Sequence, residues 1–104
     1  MKDLTFGEYI RIRREELSLP LRKVASHLDI DTSTLSKVER GERSASIDYL
    51  KPLAEILDLD SEDIQTKYIA DKITKDFEGL EHIQAGLKAA ENKLIQKRNN
   101  ARNI

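Results

Sequence analysis

The residues best suited to chemistry lie between Leu21 and Ser44, and the chemistry they suit is recognition by hydrogen bonding. Thr32, Ser33, Ser36 and Lys37 are spaced i, i+1, i+4, i+5, which puts them on one side of a helix. Three short hydroxyls offer donors and acceptors to base edges. The single long cation can reach guanine O6 and N7 in the major groove of double-stranded DNA. On any exposed helix the same four residues would equally form a solvated face, and Thr32 could instead complete a helix cap.

Other chemistries find less support. The chain has no cysteine, so disulfides, thiolate zinc sites and cysteine nucleophiles fall away. His27 and His82 have no neighbours at ligand spacing, and no metal site is expected. The acidic run DLDSED at 58–63 lacks the spacing of a calcium loop. With no glycine-rich phosphate loop and no nucleophile motif, no catalytic residue, cofactor or enzymatic activity is expected.

The elements that must position the recognition face follow from helical spacing. Phe6, Tyr9, Ile10 and Leu17 predict a first helix from about Thr5 to Leu17, opened by a Thr5–Glu8 capping pair. Pro20 precedes a second helix over Leu21–Leu28. The turn Asp29-Ile30-Asp31 leads to a third helix over Thr32–Arg40, capped by Asp31 and ended by Gly41. Two short helices joined this way have the shape of a helix-turn-helix. That shape needs a small residue at the crossing (Ala25), tolerance of positive φ in the turn (Asp29) and an apolar elbow (Leu35). A fourth helix is expected from Ser46 or Asp48 to about Leu57, its apolar positions including Ile47, Leu50 and Leu53. Pro52 gives it a 3₁₀-like first turn or a kink. A fifth helix begins at Asp60 and runs to about Asp71.

Beyond residue 71 the pattern changes. Leu80, Ile83, Leu87, Ala90 and Leu94 are spaced 3-4-3-4, as in a heptad seam. Gly79 is expected to interrupt the chain before a last helix from about Leu80 to Arg98, and the basic end KRNNARNI to fray. The expected division is therefore a DNA-binding domain over 1–71 and a helical extension over 72–104. The seam could pair two copies or fold back on its own bundle.

Length and charge set the outer limits. A chain of 104 residues with 38% hydrophobic and 36% charged residues suits one small helical domain plus an extra element. The net charge of −1 hides an uneven distribution. Residues 1–45 carry nine basic against eight acidic side chains, 46–81 four against ten, and 82–104 five against one. A nucleic-acid binder with this total must work through a local positive face. No apolar run approaches the roughly 18 residues needed to cross a bilayer. No membrane association is expected, and a cytoplasmic location is.

The stretch from Leu21 to Leu59, above all LSKVERG at Leu35–Gly41, resembles the XRE family of lambda-repressor- and Cro-like helix-turn-helix regulators. With the first helix, the resemblance covers about Phe6 to Leu59. It implies an all-α, five-helix DNA-binding bundle, here with a C-terminal helical extension. Its base-reading positions fall on Thr32, Ser33, Ser36 and Lys37. Its phosphate-holding positions fall on Leu21, Arg22, Arg40, Arg43 and Ser44, although Arg40 and Arg43 could also be drawn to the C-terminus of the third helix. Arg14 and Glu39 are implied to pair inside the bundle. The chain departs from the family pattern at Asp29, where glycine is usual, at Pro20, where a polar cap is common, and at Ala45, where proline is common.

The function expected is a homodimeric, sequence-specific transcriptional regulator on an inverted-repeat operator, with small restriction–modification controllers as one family-level fit. The dimer would be made by Leu80, Ile83, Leu87, Ala90 and Leu94. One alternative is an antitoxin whose C-terminal segment masks a protein partner. Another is an interaction adaptor that keeps the fold without binding DNA.

Overall fold

The computed structural model describes residues 4–102, which form helices joined by short turns, with no strand among them. The helices are α1 (Phe6–Glu16), α2 (Leu21–His27), α3 (Thr32–Glu39), a 3₁₀ turn (Ile47–Tyr49) running into α4 (Leu50–Ile56), α5 (Ser61–Phe77) and α6 (Ile83–Arg102). The chain divides into two compact units between Asp71 and Lys72, inside α5.

The first unit is built around Ile10, Val24, Leu35, Leu53, Leu57 and Ile64, all essentially without exposed surface. Each of α1 to α5 supplies one of these and the C-cap of α4 supplies Leu57, so each helix completes the others' burial. Polar anchors reinforce the packing. Thr5 and Glu8 close the expected capping box at the start of α1. The Tyr68 hydroxyl donates to the Ala45 carbonyl at 2.9 Å, and its ring meets Phe6 edge-on at 5.3 Å. Gly7 lets α1 cross the end of α3 backbone to backbone: a β-carbon there would clash with the Val38 carbonyl oxygen and lie 2.5 Å from that of Glu39.

Four helices end the same way. After α1, α2, α3 and α4 the residues Ser18, Asp29, Gly41 and Asp58 take φ values of 55°, 58°, 77° and 50°. In each case the next residue's N–H turns back to a carbonyl five residues earlier: Leu19 to Arg14, Ile30 to Ala25, Glu42 to Lys37, Leu59 to Ala54. These are Schellman ends, which satisfy carbonyls that would otherwise lack a donor. Asp29 thus takes the left-handed conformation that the turn requires. Arg13 reinforces the end of α4 by donating to the Leu57 and Asp58 carbonyls.

Several expectations need correction. Asp31 has N-cap backbone geometry, but its side chain makes no capping bond. The fourth helix does begin with a 3₁₀ turn ahead of Pro52, but Ile47 on that turn is 68% exposed instead of packed. Helix α5 does not stop near Asp71. No breaker occurs before Gly79, and a Lys72–Asp76 ion pair at 3.4 Å supports the added turn. Leu80 lies in the connection and not on the last helix, which starts at Ile83. The basic end stays helical through Arg102; its last two residues lie outside the described region.

In the second unit, Ile73 and Phe77 of α5, Leu80 of the connection, and Ile83, Leu87 and Ala90 of α6 line one apolar concavity of about 590 Å³. None of the described α6 side chains is buried.

Candidate nucleic-acid interface

Helix α3 is held from behind and presented at the front. Leu35 and Val38 fix its inner face in the core, and Glu39 beside them is 5% exposed. Arg14 of α1 meets Glu39 with two hydrogen bonds, Nε at 2.7 Å and Nη2 at 3.0 Å, and gives a third to the Leu19 carbonyl at 2.9 Å. Hydrogen bonding to Glu39 raises the Arg14 pKa above its ordinary value and outweighs the lowering by burial, so the guanidinium stays charged. The pair belongs to the scaffold. It locks the angle between α1 and α3, and with it the direction in which the outer face points.

On that outer face Thr32, Ser33 and Lys37 are exposed, and Ser36 is half-buried. The four lie together on α3, as their spacing requires, but they are not equally accessible. Ser36 is also engaged through its carbonyl, which accepts from the Arg40 backbone N–H and from Arg40 Nε at 3.3 Å.

The residues expected to hold phosphates flank this face at both ends. Leu21 is half-buried and is the first residue of α2, where Pro20 supplies no side-chain cap. Arg22 lies beside it, exposed, and shares with Thr32 a shallow concavity of about 420 Å³ whose other walls are Ser26, Asp29, Ile30 and Asp31. At the far end, Arg40, Arg43 and Ser44 are all exposed. The Arg43 N–H donates to the Lys37 carbonyl, which folds the loop back onto the end of α3. Two carboxylates at the front of the interface, Asp29 and Asp31, and a third at its rear, Glu42, were not anticipated as part of it. Their signal in the sequence was only their adjacency to α3.

Helix–turn–helix geometry of this kind can offer hydroxyls and a cation to base edges while arginines hold the backbone on either side. No group of three or more metal-ligating side chains occurs among the described residues. No described helix is long and apolar enough to cross a membrane.

Residues 10–64 match the family described as Helix-turn-helix. A protein of Methanococcoides burtonii described as an HTH-type transcriptional regulatory protein is 40% identical over 53 residues, which is 51% of this chain. The chain spans only 16% of that relative's length. The crystal structure of the clp gene regulator ClgR from Corynebacterium glutamicum superposes with a TM-score of 0.55 and 21% identity, covering 88% of this chain and 83% of that one. This likeness shows the all-helical fold.

Proposed function

The chain belongs to the XRE-type helix-turn-helix family, and from that membership we propose that it is a sequence-specific DNA-binding transcriptional regulator working as a homodimer on an inverted-repeat operator. One observation carries the reading: α3 buries Leu35 and Val38 while leaving Thr32, Ser33 and Lys37 open, between Arg22 at one end and Arg40 and Arg43 at the other. Regulation follows by occupancy. Lys37, Thr32, Ser33 and Ser36 read base edges, and Leu21 (through its N–H), Arg22, Arg40, Arg43 and Ser44 hold phosphates.

The homodimer is proposed on the second unit. Ile83, Leu87, Ala90 and Leu94 repeat every three or four residues on α6, and Leu87 and Leu94 are 41% and 63% exposed. An apolar stripe of this kind is costly in water, and a second copy removes it while bringing two reading helices to one two-fold site. The same stripe supports the antitoxin reading, in which another protein covers it.

The test is selection from a random duplex library at about 150 mM salt, where backbone contacts alone bind weakly. The expected result is enrichment of an inverted repeat by the wild type. Lys37→Ala should lose about 1–3 kcal/mol of specific binding with its thermal midpoint unchanged. A folded wild type that enriches nothing would defeat the proposal and favour the adaptor reading.

A further inference from the structure

Glu42 occupies a position that its three counterparts use differently. At the Schellman ends of α1, α2 and α4, the residue after the left-handed one is Leu19, Ile30 or Leu59, each half-buried against the core. An apolar side chain there is the usual companion of the motif. After α3 the same backbone position holds an exposed glutamate, whose Oε2 lies 2.9 Å from Arg40 Nη1. Its N–H is fixed to the Lys37 carbonyl at 2.9 Å, and Gly41 supplies the turn. The carboxylate is therefore placed by backbone geometry, on the guanidinium next to the reading helix. Arg40 itself is steered by its Nε bond to the Ser36 carbonyl.

We propose that Glu42 is an internal competitor for DNA phosphate at Arg40: it occupies the guanidinium in the free protein and must release it when the helix seats on a duplex. A carboxylate and a phosphate are both anionic acceptors, and a phosphate that takes the guanidinium fork bidentately is repelled by a carboxylate already resting on Nη1, so the two compete for Arg40. The device lowers affinity for any duplex, and so limits capture by random sequence. It rests on the reading of α3 as the DNA-reading helix.

The experiment measures affinity of the full chain for a fixed-length duplex of random sequence, by fluorescence anisotropy at low salt. Four proteins are compared: wild type, Glu42→Gln, Arg40→Ala and the double variant. Exposed ion pairs are weak, so Glu42→Gln should bind about two- to fivefold tighter than wild type. In the Arg40→Ala background the same change should give no gain. Glu42→Leu, which installs the side-chain type found at the other three helix ends, should reproduce the gain with an unaltered fold. Equal affinities for wild type and both Glu42 variants would overturn the proposal. A full gain that persists without Arg40 would also overturn it, since the carboxylate would then act only by general repulsion. Absence of binding by all of the proteins would instead bring down the DNA-binding reading, and this proposal with it.

Discussion

Leu53 on α4 and Leu94 on α6 are the same residue type on helices, yet the first has no exposed surface and the second is 63% exposed. Leu53 sits where side chains from five helices converge, so each enclosing element is stabilised by the others. Leu94 repeats with Leu87, Ala90 and Ile83, and none of these is buried. The second unit has the sequence pattern of a buried surface without the burial. An isolated helix gains little from propensity alone. The first unit therefore has a core of its own, whereas the apolar stripe of the second is exposed.

The contrast can be broken or sharpened by substitution. Glu39→Ala should have the largest effect, because it leaves Arg14 without its carboxylate inside the scaffold. A loss of about 3–5 kcal/mol in thermal or urea unfolding is expected, and a loss under 1 kcal/mol would show that the pair does not lock α1 to α3. Leu53→Ala should cost about 2–5 kcal/mol by opening a cavity. Leu94→Ala, measured at dilution, should stay within about 0.5 kcal/mol of wild type; similar losses for both would erase the distinction between the units. Leu87→Glu should leave the first unit's unfolding unchanged but give a monomer in sedimentation. It should weaken binding to a two-half-site duplex by about 10²-fold, through loss of the linked second contact. The one expected gain in stability is also small: Ser18→Gly relieves a left-handed serine at φ 55° and should add about 0.5–1 kcal/mol, the relief of strain less the entropy of glycine. A decrease there would mean the serine side chain contributes more than its backbone costs.

The first unit was legible because its signals are local. Apolar spacing gave α1 to α4, the Thr5–Glu8 pair gave the start of α1, and Pro52 pointed to a 3₁₀ entrance or a kink in α4, of which the 3₁₀ turn is present. The spacing of Ala25, Asp29 and Leu35 marked a turn that closes with φ of 58° at Asp29. The role of Gly7 was not legible, since nothing in FGEYI shows that the Val38 and Glu39 carbonyls will lie against it. The continuation of α5 past Asp71 was legible in the lack of any glycine or proline before Gly79, although the expected helix stopped short of it. Leu80 fitted the heptad by spacing, but spacing cannot tell a turn residue from a helical one at the register's edge.

By itself, then, the sequence determined which residues form helices, where most of them start and stop, and which face of α3 is polar. These properties depend on periodicity, capping and φ preferences within a few residues of each position. Tertiary structure alone decided that Ser36 is half-hidden while Lys37 is open and that Glu42 rests on Arg40, whereas the Arg14–Glu39 pair, 25 positions apart, was anticipated only through the family resemblance. Those outcomes depend on where separate helices and turns come together in space. A linear pattern does not encode that, because the close approach of two backbones or two charges is settled only when the core has packed.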